Sequence, residues 1–264
     1  MIFALDVGNT HIVTGCISEG MVLFTERIST RLAKTELEYA IDFKLILELH
    51  NIEPSTIEGC ILSSVVPPVS HLLCEAVRKV FGQPPLVVGP GLKTGLKIMI
   101  DNPAQLGSDL VVGAVAALTS YPAPLIVIDM GTATTFSVIN RQKHFLGGAI
   151  VPGVEVALSS LTSGTSQLPK ISLEEPKKVI GRNTVDCMKS GSVYGSASMV
   201  DGMITRILNE LNDTATVVAT GGIARFITPF CSHPIIYDDG LMLKGLELIY
   251  QKNQKAPACK GTER

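Results

Sequence analysis

Apolar and polar positions alternate along the first thirty residues in three short β-rich runs, at about 2–6, 12–17 and 21–28, separated by Gly, Asn and Ser. The pattern then changes period. Thr35 opens a Thr-Glu-Leu-Glu capping box, and Leu37, Ile41, Leu45 and Leu49 follow at four-residue spacing, which predicts a helix over 35–50. Cys60–Val66 reads as a buried strand. From Val69 the apolar positions 69, 72, 73, 76, 77, 80 and 81 trace one face of a 3.6-residue period, which predicts a second helix. A short strand at Leu86–Val88 and a helix over Pro103–Ala117, with proline near its start, complete a βββαβαβα half.

The same order then returns. Strands are expected at Leu125–Asp129, Thr134–Ile139 and near Lys143–Leu146, and helices around 153–163 and 184–211. A strand at Ala215–Ala219, a helix after Gly221-Gly222, a strand near 235–237 and a helix at about 240–251 follow. Apart from one extra helix this is a duplication, and it predicts an α/β protein of two like domains, 1–121 and 122–252, with 253–264 as a solvated, disordered tail.

The anchor of the repeat is chemical as well as structural. Phe3-Ala4-Leu5-Asp6-Val7-Gly8-Asn9-Thr10 in one half matches Ile126-Val127-Ile128-Asp129-Met130-Gly131-Thr132-Ala133 in the other. In each, an apolar strand ends in Asp-x-Gly and turns into a second strand. The glycine lets backbone approach a ligand, and Asn9, Thr10 and Thr132 offer donors suited to phosphate oxygens. An aspartate at that turn would repel phosphate unless a cation lay between, so Asp6 and Asp129 suit Mg²⁺ or its waters. A lone Asp-x-Gly turn is ordinarily structural; two at matching places can close on a polyphosphate from both sides. Thr220-Gly221-Gly222 adds another close backbone approach, against which a nucleoside could pack.

Composition narrows the class. Of 264 residues, 46% are hydrophobic and 17% charged, which excludes a disordered, charge-rich chain. Lys plus Arg number 22 and Asp plus Glu 24, without a basic run, so no nucleic-acid partner is expected. Leu110–Ile128 is uncharged and long enough for a bilayer, but Pro122 and Pro124 break it, so no membrane span is expected. The six cysteines lack metal-ligand spacing and, with no signal peptide in view, read as reduced, mostly buried cytoplasmic thiols.

The paired Asp-x-Gly-Asn-Thr and Asp-x-Gly-Thr-Ala-Thr hairpins resemble the acetate kinase, Hsp70 and actin superfamily, whose members bind ATP between two ribonuclease H-like domains. Within it, the chain resembles the type III pantothenate kinases from residue 1 to about 250. The matching motifs run collinearly: Asp6-Val-Gly-Asn-Thr10, Asp101-Asn-Pro103, Gly107-Ser-Asp109, Asp129-Met-Gly-Thr-Ala-Thr134, Gly147-Gly-Ala-Ile-Val-Pro-Gly153, Leu168-Pro169, Gly181-Arg-Asn-Thr184 and Thr220-Gly-Gly222. The resemblance implies ATP-dependent phosphorylation of the primary hydroxyl of pantothenate, the first step towards coenzyme A, in a homodimer that needs Mg²⁺ and a monovalent cation, K⁺ or NH₄⁺.

By that likeness, Asp109 is the general base, whose plain alternative is a first-turn aspartate favoured by the helix dipole. The hairpin Asp6, Val7, Gly8, Asn9, Thr10, His11, Ile12 and Val13, with Thr132 opposite and Gly221 and Gly222 behind, is the ATP clamp. Asp129 is the monovalent-cation ligand, and Asp6 is assigned to Mg²⁺ through water. Gly107, Ser108, Asp109, Leu110 and Thr184 are the substrate positions, with Thr184 near the dimer interface; its plain alternative is a helix N-cap. The chain departs from the family at two places, Leu110 where arginine is usual and Ile100 where tyrosine precedes Asp-Asn-Pro. Both fall on the acceptor side, which keeps open a kinase for another small hydroxylated metabolite and a non-catalytic nucleotide-binding regulator.

Overall fold

The computed structural model describes residues 1–254. Its first half runs β1 (Ile2–Val7), β2 (His11–Ser18), β3 (Met21–Ser29), α1 (Glu36–Leu49), β4 (Gly59–Ser64), α2 (Pro67–Phe81), β5 (Leu86–Val87), β6 (Lys97–Ile98) and α3 (Ser108–Ser120). The second runs β7 (Leu125–Met130), β8 (Ala133–Ile139), β9 (His144–Pro152), α4 (Val154–Gly164), α5 (Thr184–Leu211), β10 (Thr216–Thr220), α6 (Ala224–Ile227), β11 (Ile236–Tyr237) and α7 (Leu241–Asn253).

The duplication is visible in the sheets. One has the order β3-β2-β1-β4-β5, and the other contains the equivalent order β9-β8-β7-β10-β11, with β6 of the first half added beside β9. In both, the central strand is antiparallel to the hairpin partner that follows it and parallel to the next strand inward, β4 or β10. This is the two-domain ribonuclease H-like architecture.

Strand alternation divides each central strand between two layers. Phe3, Leu5 and Val7 pack outward with Tyr39, Phe43, Leu73 and Val77 of α1 and α2. Ile2 and Ala4 face the other way, onto Val112 and Val115 of α3 and Met242 and Leu246 of α7. Likewise Ile126, Ile128 and Met130 pack on α5, while Leu125 and Val127 meet Ala114 and Ala117 of α3. Helices α3 and α7 therefore fill the space between the sheets, touching closely where a Cβ on Gly245 would fall 2.3 Å from the Val112 carbonyl oxygen. Buried Glu247 of α7 also accepts from Gly20 N at 3.0 Å, tying the β2–β3 turn to this layer.

Several details differ from the sequence expectations. The capping box at Thr35 and Glu38 forms, but Leu37, Ile41, Leu45 and Leu49 lie on the solvent side of α1, and Tyr39, Ala40, Phe43, Ile46 and Leu47 fill its buried face. Residues 103–105 form a separate 3₁₀ turn capped by Asn102, because Gly107 is extended and α3 starts only at Ser108. Strand β9 continues past Leu146 to Pro152 through Gly147 and Gly148; a Cβ on Gly148 would fall 1.8 Å from the Phe136 carbonyl oxygen, so glycine here serves close strand approach at a register shift. Asn253 closes α7, its side chain bonded to the Lys93 backbone at 2.9 and 3.0 Å. Residues 255–264, most of the expected tail, and Cys259 lie outside the described residues. Among the described residues no helix is long and apolar enough to cross a membrane, and the five cysteines are free, with Cys187 exposed rather than buried.

Candidate active site

Alternation that sends Leu5 and Val7 outward sends Asp6 inward, and the same parity turns Asp129 into the inter-sheet layer from the other side. The Asp6 turn is closed by Gly8 N–H donating to His11 O (3.0 Å) and braced by Thr30, whose hydroxyl donates to Gly8 O at 2.7 Å. The Asp129 turn is one residue shorter, closed by Gly131 N–H to Ala133 O at 3.0 Å. Gly153 N–H holds Thr132 O at 3.0 Å, and a Cβ there would fall 2.3 Å from Gly131 O, so only glycine lets the end of β9 lie against this turn. The two turns meet through the exposed hydroxyls of Thr10 and Thr132, whose oxygens are 2.8 Å apart. Asn9 and His11 are also exposed, whereas Val7 and Ile12 are buried in the first core and can offer a ligand only backbone.

Asp109 joins the two strand aspartates from the first turn of α3, between the sheets. Burial raises its carboxyl, while Leu110 N–H, 2.8 Å from Oδ1, opposes the rise. Burial, then the charges of Asp129 and Asp109, push Asp6 up to about 8, with the neighbouring Ser63 hydroxyl opposing the rise. Burial and Asp109 push Asp129 up to about 6, with Arg27 pulling the other way. Three carboxylates that resist ionising together form a site that lacks positive charge. Glycine at 107 makes room for this arrangement, since a Cβ would fall 2.3 Å from Asp109 Oδ1. Ser108 fixes the helix start by donating to Ser64 O (3.1 Å) and accepting from Ser63 Oγ (3.0 Å).

The donor set suits cations of two kinds. Among the described residues no three His, Cys, Asp or Glu side chains are placed to hold a metal by themselves. Mg²⁺ keeps waters and takes phosphate oxygens beside one or two carboxylates, a role that Asp6 could fill. Beside Asp129 lies a small cavity lined by Asp109, Thr135, Ser137 and Thr220 together with the apolar Leu110, Val127 and Met242, and the Thr135 hydroxyl is buried without a hydrogen-bond partner. Oxygen ligands around a carboxylate suit a monovalent cation.

The remaining expected positions are placed as follows. Gly221 has φ +93°, and a Cβ there would fall 2.6 Å from Met130 O and 2.7 Å from Asp129 Oδ1, so it backs the Asp129 turn directly. Gly222 lies against the Arg27 guanidinium. Val13 packs beside the inter-sheet core. Leu110 lines the cavity beside Asp129, and Ile100 packs near Gly147. Thr184 is not the N-cap of α5: Asn183 accepts from Asp186 N at 2.9 Å, and Thr184 instead lines a ≈ 530 Å³ groove between α4 and α5 that Val151 and Pro152, paired with Thr134 and Ala133 after the Asp129 turn, also line. Sequence reasoning missed Ser63, Ser64 and Arg27. The two serines were legible as the polar end of an apolar strand, but nothing local distinguished Arg27 from any edge-strand arginine.

Two ribonuclease H-like domains with opposed Asp-x-Gly turns over shared carboxylates give the chain the fold of the acetate kinase, Hsp70 and actin superfamily. Solved structures agree on the fold: component A of (R)-2-hydroxyglutaryl-CoA dehydratase from Acidaminococcus fermentans has a TM-score of 0.56 at 13% identity, covering 95% of this chain and 97% of that one. A ROK family glucokinase from Streptomyces griseus has a TM-score of 0.50 at 11% identity, covering 95% and 98%. The profile of the type III pantothenate kinase family matches residues 2–206. A type III pantothenate kinase from Bacillus cytotoxicus is 43% identical over 253 residues, 96% of this chain and 97% of its own length. The chain belongs to the type III pantothenate kinase family.

Proposed function

We propose that the protein transfers the γ-phosphoryl group of ATP to the primary hydroxyl of pantothenate, giving 4'-phosphopantothenate and ADP. The observation that carries this reading is the convergence of Asp6, Asp129 and Asp109 beneath the Thr10–Thr132 contact, where both domains and the start of α3 meet. The nucleotide phosphates enter between the two turns, replacing the threonine contact with bonds from Asn9, Thr10, Thr132 and the turn amides. Asp6, through water, would hold the divalent cation and Asp129 the monovalent one. When bound, these cations neutralise the phosphates so that charge can build in the transition state.

Asp109 accepts the acceptor's proton as its hydroxyl oxygen bonds to the γ-phosphorus and the bond to the bridging oxygen of ADP breaks. Its raised pKa makes the ionised form a better proton acceptor. Gly107 and Ser108 position it, and Thr184 lines the acceptor side, completed in a homodimer. We assign the two domains to 1–121 and 122–252 and the enzyme to the cytoplasm.

A second acceptor is favoured by one observation: Leu110 and Ile100 leave this side without the planar donor fork that suits a carboxylate. The test is ADP release by the purified protein with ATP and Mg²⁺, with and without pantothenate, in K⁺ and then in Na⁺. Pantothenate-dependent release that needs K⁺ is expected. ADP release only with another hydroxylated acceptor moves the assignment there, and ATP binding without release to any acceptor makes the chain a regulator.

A further inference from the structure

The register of the first sheet aligns Ser63 with Asp6, Asp6 with Val13, and Val13 with Arg27. Residues paired in register share a face, so Arg27 of β3 lies on the inner side that carries Asp6, two strands away. Its neighbours on β3 agree with this: Phe24 and Ile28, of opposite parity, belong to the outer core. Arg27 reaches the other domain. A Cβ built on Gly222 would fall 2.2 Å from its Nη1, 3.0 Å from Cζ and 3.1 Å from Nη2, so the guanidinium lies against the backbone of the Thr220-Gly221-Gly222 turn. Gly221, next in the chain, touches Asp129.

Arg27 is exposed, and among the described residues it forms no ion pair. Its charge nevertheless reaches Asp129. A cation without a carboxylate partner, facing a cluster of carboxylates across the opening between two domains, is suited to an anion that enters that opening. A guanidinium presents several donors in a plane and binds phosphate oxygens in pairs.

We propose that Arg27 is a nucleotide-contacting residue, binding a phosphate of the nucleoside di- or triphosphate from the first domain while Gly221 and Gly222 approach the nucleotide from the second. The inference rests on the reading that ATP occupies this opening and extends it to a residue outside the Asp-x-Gly motifs.

The test compares wild type, Arg27→Ala, Arg27→Gln and Arg27→Lys in titration calorimetry with Mg²⁺ and ADP, a non-hydrolysable ATP analogue, or adenosine. For Ala and Gln, a rise of about tenfold or more in the Kd of ADP and the analogue is expected, with adenosine changed by less than about twofold. Lysine should restore part of the loss, and the melting temperature of the free protein should not move. In steady-state assays the KM for ATP should rise while that for pantothenate stays.

Unchanged ADP affinity with a lowered melting temperature would make Arg27 a strut between domains and overturn the proposal. Equal weakening of ADP and adenosine would place the contact at the nucleoside. A raised pantothenate KM alone would give the arginine to the acceptor. ADP binding that behaves as expected in a protein that phosphorylates no pantothenate would leave this inference standing while the acceptor assignment fails.

Discussion

Asp6→Asn separates what the carboxylate cluster costs the free protein from what it gives the loaded one. Folding raises the Asp6 carboxyl from 3.8 to about 8, so the folded protein binds this proton more tightly than the unfolded chain. Stability from this group is complete below about pH 4 and is lost as pH rises through about 8. At about 1.4 kcal/mol per unit, the loss amounts to roughly 6 kcal/mol, or on the order of 10 °C in melting temperature for a chain of this size. Asp129 contributes in the same direction, with its loss complete by about pH 6. The assay is thermal unfolding of nucleotide-free protein in chelator, from pH 5 to 9. The wild-type melting temperature should fall across the range, whereas that of Asp6→Asn should level off above about pH 6 and exceed wild type at pH 8. With Mg²⁺ and ADP the order should invert, because the cation favours the ionised carboxylate that the variant lacks. Parallel melting curves for the two proteins in chelator would refute the reasoning, since Asp6 would then ionise as freely in the fold as in the unfolded chain.

Four further outcomes follow from the geometry. Asp109→Asn should lower kcat by about 10²- to 10⁴-fold while leaving the Kd of ADP within about twofold, as measured by turnover and calorimetry; unchanged turnover would remove the base assignment. Asp129→Ala should abolish the difference between K⁺ and Na⁺ in the ADP-release assay, together with most activity, and a variant that still responds to K⁺ would move the monovalent site elsewhere. Leu110→Arg should lower the KM for pantothenate about tenfold or more by supplying a charged donor to its carboxylate, and an unmoved KM would mean that the carboxylate binds away from position 110. Gly153→Ala drives a methyl to within 2.3 Å of Gly131 O and 2.4 Å of Thr132 O, so it should cost about 1–3 kcal/mol in stability and raise the KM for ATP. A fully stable, fully active Gly153→Ala would show that the Thr132 turn tolerates displacement.

Local physics was enough to read the elements of this chain, because strand alternation, helical period, the Thr35 cap and the Asp-x-Gly turns each depend on neighbours a few residues away. The duplication was legible for the same reason, and it brought Asp6 and Asp129 forward as a pair. The direction of a helical stripe was not legible: Leu37, Ile41, Leu45 and Leu49 define a helix by spacing but face solvent, because the face bearing Tyr39, Phe43 and Leu47 fits the sheet. Nor could spacing separate a cap from a groove residue at Asn183 and Thr184, which differ only in backbone geometry.

What the amino-acid order determined by itself, then, is the repeated βββαβαβα plan and the residue types at its turns. Tertiary structure alone decided that α3 lies between the sheets, which brings Asp109 to two aspartates 103 and 20 positions away. It also decided that β6 crosses to the second sheet and that Arg27 rests on Gly222. These are contacts between segments far apart in the chain, fixed by how whole layers bury their apolar faces, and no window of neighbouring residues contains that information.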